Sequence, residues 1–259
     1  MNILFTICGR AGSKGIKDKN FRIFLGYPLI FYTFSALDIY IRKNPQINSH
    51  IVVNTDSDAL ISLLQEHLKL PIDVIKRKPH LGLDDTPKLA VILDCLKEMN
   101  KRVKLNYDMV VDLDITSPLR SADDISNLIN KKIDSDADVV FSITDSRRNP
   151  YFNMVKQTEF GYERVIQSTF NTRQEAPEVF DMNASLYAYS PKFLEEERGI
   201  FEGKCDVIWM KDTAVLDLDH ENDFEIMEIV AKHFFEKIET FGVIKKNLKK
   251  ILNDKRRWN

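Results

Sequence analysis

No apolar run in this sequence is long enough to cross a bilayer, and no basic leader precedes its first strand-like segment, so neither a transmembrane span nor a signal peptide is expected. A surplus of charge is missing too. Thirty-seven basic side chains stand against 39 acidic ones, a formal net charge of −2, so no bulk field favours nucleic acid or an anionic membrane. The three cysteines, Cys8, Cys95 and Cys205, are far apart and form no CxxC pair. That argues against a zinc finger or dithiol motif and suits a reducing, cytoplasmic setting. The five histidines (His50, His67, His80, His220, His233) show no metal-ligand spacing. GxGxxG, GxxxxGK[ST] and GxSxG are all absent, which counts against a dinucleotide dehydrogenase, a P-loop NTPase and a serine hydrolase. No internal repeat or low-complexity linker divides the chain.

What is present is a folded, enzyme-sized chain of 259 residues, 44% of them apolar, enough for one large α/β domain with a small appendage. Short apolar runs at Ile3–Cys8, His50–Asn54, Ile72–Lys76, Met109–Leu113 and Val139–Ile143 predict buried strands. Helical periods over Leu29–Arg42, Ala59–Leu68, Lys88–Asn100 and Asp123–Asp134 alternate with them. Thr86-Pro87 suits an N-cap and first helical position, and Ser121 to Asp124 an acidic capping box. Strand–helix alternation predicts a mainly parallel sheet covered on both faces, with ligands at the carboxyl ends of its strands. The rhythm breaks after Asp145. Phe152–Lys156 and Tyr162–Ile166 flank Glu159-Phe160-Gly161 as a possible hairpin in an inserted arm. Strands return at Ser185–Tyr189, Val207–Met210 and Ala214–Leu218, followed by a helix from Glu221 to Lys237. The basic tail (Lys245, Lys246, Lys249, Lys250, Lys255, Arg256, Arg257) reads as a solvated or frayed helix end.

The most informative segment follows the first strand. Gly9, Gly12 and Gly15 share a loop with Arg10, Lys14, Lys17 and Lys19. Small residues admit a ligand to the backbone, and the cations neutralise it. One charge pair at 4 Å is worth roughly 4 kcal/mol at an effective dielectric of 20 before desolvation. Several cations converging on a polyphosphate would therefore dominate its binding, and a nucleotide is the expected ligand.

Arg10-Ala11-Gly12-Ser13-Lys14-Gly15 with Lys19-Asn20 resembles the R-x-G-S-K-G…K-N signature of the CMP-sugar cytidylyltransferase family, the acylneuraminate type. The resemblance extends to about Phe235. It implies a three-layer Rossmann-like fold of the nucleotide-diphospho-sugar transferase type, a single domain over residues 1–259. The inserted dimerisation arm falls at about 146–182, and a homodimer is expected. It implies CTP as co-substrate, bound by Arg10, Gly12, Ser13, Lys14, Lys19 and Asn20, with Arg10 or Lys19 stabilising charge during transfer. Lys78-Pro79 to Asp85 resembles the family's R-P-x-x-L-x-x-D segment, which helps hold the cytosine. Here Lys78 stands where Arg is usual and Arg77 lies beside it, so either one is a candidate for the base, with Asp85 nearby.

Asp217-Leu218-Asp219 places two carboxylates at i and i+2 of a predicted strand, on one side of it. Such a pair suits Mg²⁺, a hard cation that takes oxygen ligands, and the family ends a strand with D-x-D here. The competing reading is that Asp219 caps the following helix. Asp112-Leu113-Asp114 is a second pair, leading into Thr116-Ser117-Pro118-Leu119-Arg120. Asp114 occupies the place of the family's usual Gln. It is a candidate for a sugar-hydroxyl ligand, a member of the metal shell or a general base, the last favoured if burial near Asp219 raises its pKa. The form Leu113-Asp114 followed by Pro118-Leu119-Arg120 resembles the branch that activates legionaminic acid, a nine-carbon relative of sialic acid. On the sugar side, Arg173 to Pro177 and Asn183 to Tyr187 resemble the family's R-Q-x-x-P and N-G/A-A/S-I/L-Y segments. They imply Arg173, Asn183 and Tyr187 as substrate contacts, with Arg147 and Phe152 at the arm's opening. An Arg fork suits a sugar carboxylate. Phe152 stands where sialic-acid enzymes commonly carry Lys, which favours a sugar bearing acylamino groups or a deoxy carbon.

Overall fold

The computed structural model describes residues 1–12, 15–211, 218 and 220–253. Among these, seven strands form one sheet: β1 (Asn2–Cys8), β4 (Asn48–Thr55), β5 (Asp73–Lys76), β6 (Met109–Leu113), β7 (Val139–Asp145), β10 (Phe180–Tyr189) and β11 (Cys205–Trp209). Their order is β11-β7-β10-β6-β1-β4-β5. All pairings are parallel except those of β10, which runs antiparallel between β6 and β7. Two smaller pairs stand apart: β2 (Ile23–Phe24) with β3 (Tyr27–Pro28), and β8 (Val155–Thr158) with β9 (Gly161–Arg164).

Alternation along β1 explains the layering. Ile3, Phe5 and Ile7 point into one core, whereas Leu4 points into the other, as the two-residue strand period requires. The first face is covered by α1 (Ile30–Lys43), α2 (Asp58–His67), α4 (Ala122–Asp134), α6 (Glu221–Lys237) and α7 (Glu239–Ile251). The second is covered by α3 (Lys88–Val103) and α5 (Pro191–Glu195). The result is the expected three-layer, mainly parallel α/β fold. No helix among the described residues is long and apolar enough to cross a membrane.

Several boundaries differ from expectation for local reasons. The Ser121–Asp124 capping box forms at α4, each residue's side chain meeting the other's backbone N–H. Thr86 does not cap α3; its hydroxyl donates to the His80 carbonyl at 3.0 Å, and Pro87 takes the capping position. The arm hairpin is shorter than the apolar pattern suggested. The backbone N–H groups of Phe152, Asn153 and Met154 all turn onto the Asn149 carbonyl, which keeps them out of β8. The strand predicted at Ser185 starts earlier, at Phe180, and crosses an irregularity where Ala184 sits at φ +50°. The tail is not frayed as far as Ile251. Phe241, Ile244, Leu248 and Ile251 form a buried stripe, and Asn247 reaches the Ser35 carbonyl and Asp38 of α1. Lys255, Arg256, Arg257 and the strand expected at Ala214–Leu218, apart from Leu218, lie outside the described residues.

Candidate active site

The first loop leaves β1 at the carboxyl edge of the sheet and is held there by its neighbours. Gly9 N donates to the Asn54 carbonyl at 3.1 Å, and Ala11 N to Asp56 Oδ1 at 2.6 Å. Asn20 Nδ2 ties the loop from the other side, donating to the Arg10 carbonyl at 3.0 Å. Gly9 is required by space: a Cβ there would lie 2.8 Å from Ile115 Cδ1 and 2.9 Å from Asn20 Nδ2. Gly12 is required by conformation, at φ +72°. Arg10, Ala11, Gly12, Lys19 and Asn20 border a small hollow of about 30 Å³. Ser13 and Lys14 fall outside the described residues. The Arg10 guanidinium is paired with the exposed Asp84 carboxylate, an arrangement worth at most about 1 kcal/mol in open solvent and readily exchanged for a ligand's phosphate. Asp84, rather than the nominated Asp85, is therefore the acidic neighbour of the loop; Asp85 is exposed.

Arg77 and Lys78 go separate ways. Arg77 is buried, with Nε donating to Asn54 Oδ1 at 2.8 Å and Nη2 to the Asn54 carbonyl at 3.1 Å. It lies beneath Gly82 and beside the residues that hold the first loop. Lys78 instead turns to α3, where Asp94 and Glu98 take its ammonium and raise its pKa. Geometry thus joins Arg77, not Lys78, to the first loop. A larger cleft of about 450 Å³ runs between α3 and α5, lined by Leu93, Asp94, Phe193 and Leu194 among others. Its cations, Lys97 and Arg198, are paired with Glu197 and Glu196, and the basic loop lies elsewhere, so the site is assigned to the edge where the first loop lies.

The second acidic pair is organised by a cation that the sequence motifs did not single out. Lys88 Nζ, from the first residue of α3, lies 2.7 Å from Asp112 Oδ2 and 2.8 Å from Asp114 Oδ2. Thr6 Oγ1 of β1 donates to the other Asp112 oxygen at 2.7 Å, and Asp112 is wholly buried. Thr116 donates to Asp114 Oδ1 from its N–H at 3.0 Å and its hydroxyl at 2.8 Å. Burial pushes the Asp114 carboxyl up, but the Lys88 charge and these hydrogen bonds outweigh it and hold the pKa at about 2. The condition that would favour a general base, a raised pKa, is therefore not met, and the carboxylate is held as an ionised acceptor. Burial likewise works against the Lys88 charge, yet Asp112 and Asp114 raise its pKa well above the usual value.

Arg120, quoted in a motif but given no role there, is buried and braces the same region. Its fork donates to the Ser185 carbonyl at 2.7 Å, Thr33 Oγ1 at 2.9 Å and the Asp114 carbonyl at 3.1 Å. Three elements thereby meet: α1, the turn after β6 and β10. Burial lowers its pKa to about 10.

The sugar-side candidates are dispersed along β10 and the arm. Tyr187 is the cross-strand partner of Asp112 and stacks on Tyr189 at 5.9 Å between ring centroids. Arg173 is exposed, with Nη2 donating to the Ser146 carbonyl at 2.7 Å, which ties the arm to its base near the exposed Arg147. Phe152 is half-buried in the arm. Asn183 is buried; its amide oxygen accepts from the Ser142 hydroxyl, and its Nδ2 has no partner among the described residues. Buried inside the sheet, it braces the bend of β10 rather than facing solvent. Asp217 and Asp219 lie outside the described residues, while Leu218 between them is fully buried in the main core. No group of three metal-ligating side chains is found among the described residues.

Residues 4–201 match the family model described as Cytidylyltransferase. The chain is 36% identical over 229 residues to CMP-N,N'-diacetyllegionaminic acid synthase of Campylobacter jejuni, covering 88% of this chain and 94% of that one. It is 34% identical over 231 residues to post-translational flagellin modification protein B of Campylobacter coli, covering 89% and 95%. Its fold is similar to that of a solved CMP:2-keto-3-deoxy-manno-octonic acid synthetase complexed with CTP, with a TM-score of 0.63 over 90% of this chain and 99% of that one. At 14% identity that likeness speaks for the fold alone.

Proposed function

We propose the following reaction for this chain, which belongs to the cytidylyltransferase family: CTP and a nine-carbon 2-keto sugar acid give the CMP-sugar and pyrophosphate, with N,N'-diacetyllegionaminic acid as the sugar. The sugar's anomeric oxygen bonds to the α-phosphorus, the bond from that phosphorus to the bridging oxygen breaks, pyrophosphate leaves and the hydroxyl proton passes to solvent. The observation that carries this reading is a single contact. Ile115, next to Asp114, packs under Gly9 at the start of the basic loop, a contact that joins the β6 edge to that loop and supports a shared site.

Arg10 exchanges Asp84 for phosphate oxygens, and Lys19 adds charge at the reacting phosphorus. Arg77 stands where a base enters beside Asn54. Positioning and electrostatics supply the acceleration in such a transfer, with no protein nucleophile. Asp114, ionised and fixed, accepts a hydrogen bond from the sugar. Arg173 and Tyr187 hold the rest of it, with Arg147 and Phe152 at the rim. The donor set of Asp217 and Asp219, two carboxylates at i and i+2, suits Mg²⁺, which would supply charge neutralisation at the phosphates. The Asp112–Asp114 pair does not suit it, because Lys88 already fills that place.

The arm supports a homodimer. Phe160 is 99% exposed, and Val155 and Tyr162 are exposed beside it, an apolar surface that a second copy would cover. The lack of a membrane-crossing helix among the described residues is compatible with a cytoplasmic enzyme. The deciding experiment is pyrophosphate release from CTP with a panel of N,N'-diacetyllegionaminic, N-acetylneuraminic, pseudaminic and 3-deoxy-octulosonic acids. The expected result is the highest kcat/KM with the first; equal turnover of the first two would remove the sugar assignment, and no release with any would remove the reaction.

A further inference from the structure

Lys88 sits outside the motifs that resemble the family, yet both acidic side chains at the end of β6 converge on it. Asp112 is sealed: one oxygen faces Lys88, the other takes the Thr6 hydroxyl, and no part of it reaches solvent. Asp114 differs in one respect, since 23% of its side chain is exposed. Its backbone is pinned on both sides, N donating to the Ser185 carbonyl at 3.1 Å and the carbonyl accepting from Arg120. Oδ1 is filled by the two Thr116 donors, whereas Oδ2 accepts only from Lys88 and retains a lone pair for a ligand. It stands at a seam. Ile115 touches the first loop, and Ser185 belongs to the strand that carries Tyr187.

We propose that Lys88 is a positioning residue for the acceptor sugar: gripped between Asp112 and Asp114, its ammonium keeps Asp114 oriented and anionic so that it accepts a hydrogen bond from a sugar hydroxyl. This inference rests on the cytidylyl-transfer reading above. Its physical basis is that two carboxylates sharing one site, one of them wholly buried, cannot both stay ionised without a cation between them. The other groups facing the cluster do not replace Lys88. Cys8 of β1, Cys95 of α3 and Tyr189 of β10 have side chains that cannot carry a positive charge, and their surroundings raise the pKa values of Cys8 and Tyr189. Arg120 spends its fork on backbone and hydroxyl oxygens and does not touch the Asp114 carboxylate. Without Lys88 the pair takes up a proton, and an acceptor becomes a donor.

The test compares the full chain with Lys88→Met and Lys88→Arg, using CTP and N,N'-diacetyllegionaminic acid. In Lys88→Met, kcat/KM for the sugar falls about 10- to 100-fold, the loss expected for a charge-assisted hydrogen bond. CTP affinity by calorimetry stays within about threefold, because the pair does not touch the nucleotide's phosphates in this scheme. Its rate profile gains an acid limb at higher pH than in wild type, as one shared proton titrates. Lys88→Arg keeps the charge and recovers most of the lost rate. A folded Lys88→Met with wild-type kcat/KM for the sugar overturns the proposal, as does an equal loss of CTP and sugar affinity. Carbon-13 NMR of the Asp114 carboxyl gives a readout that needs no turnover: its midpoint rises on removal of Lys88, and an unchanged midpoint refutes the clamp. If wild type released no pyrophosphate with any sugar acid, the reaction would fall while this NMR comparison still judged Lys88. Should Lys88→Met not fold, Lys88→Gln, which keeps a donor to the carboxylates but not the charge, carries the same kinetic comparison.

Discussion

Gly9→Ala strikes the contact on which the site is built. The added Cβ would lie 2.8 Å from Ile115 Cδ1, 2.9 Å from Asn20 Nδ2 and 3.2 Å from Asn20 Cγ. Carbon atoms prefer separations of about 3.5–4.0 Å, so the methyl group overlaps Ile115 by roughly 0.7 Å or more. Neither neighbour yields cheaply. Ile115 is 1% exposed within the main core, and the Asn20 amide is bonded to the Arg10 carbonyl. Overpacking of this kind costs about 1–3 kcal/mol, which lowers Tm by about 2–4 °C per kcal/mol for a chain of this size. Displacing Ile115 carries Asp114 with it, and displacing Asn20 loosens Arg10, so kcat/KM should fall further than stability alone accounts for. Urea unfolding and pyrophosphate release on the same preparation measure both effects. Gly12→Ala is the internal comparison, because no described residue lies within 4 Å of its added methyl and its φ of +72° is what penalises it. If Gly9→Ala unfolds within about 0.5 kcal/mol of wild type, the range of an ordinary surface change, and turns over normally, the contact does not organise the site.

Three further outcomes follow from the geometry. Arg77→Ala should raise KM for CTP and destabilise the fold by about 1–3 kcal/mol by orphaning Asn54, whereas Lys78→Ala should leave KM for CTP within about twofold, since its ammonium is turned to Asp94 and Glu98 of α3 and away from the first loop; titration with CTP distinguishes them. Ser121→Ala should cost about 1 kcal/mol through loss of the α4 cap, with kcat unchanged, as read from thermal unfolding and steady-state rates. Asp114 has a folded pKa depressed to about 2, so its stabilising share is fully present above the unfolded value of about 3.9 and is lost as pH falls through about 2. The stability gap between wild type and Asp114→Asn should therefore stay level from neutrality down to about pH 4 and shrink below it; a gap that already closes between pH 7 and 5 would refute the depressed value.

The strands and most helices were legible because their signals are local. An apolar run ending in a glycine loop announces β1, and Ser121 with Asp124 announces the start of α4. Long-range polar pairing has no such signature. Lys88 looks like an ordinary helix-start residue, and only the fold brings it to carboxylates 24 and 26 positions away in the chain. The role of Asp114 stayed open among three candidates for a related reason: burial alone would raise its pKa, and the cation that reverses the sign comes from another layer. Thr86 carried a valid capping signal, but its hydroxyl donates to the His80 carbonyl and does not cap α3. The helix at Glu239–Ile251 was obscured by its lysines, although Phe241, Ile244, Leu248 and Ile251 recur at helical spacing beneath them. Arg77 and Lys78, adjacent in sequence, became distinguishable once strand geometry sent them to different neighbours.

The place where the arm leaves the sheet bears on how such a protein diversifies. Asp145 and Phe180 are opposed residues of adjacent antiparallel strands, braced by Trp209, whose indole donates to Asp145 and packs edge-on against Phe180. The segment between them begins and ends at one stapled doorway. Doubling the length of a flexible loop with fixed ends costs only about 0.6 kcal/mol. Insertions, deletions and wholesale replacement between residues 146 and 179 therefore leave strand register untouched, so that segment can change its clientele over generations while the catalytic edge stays as it was.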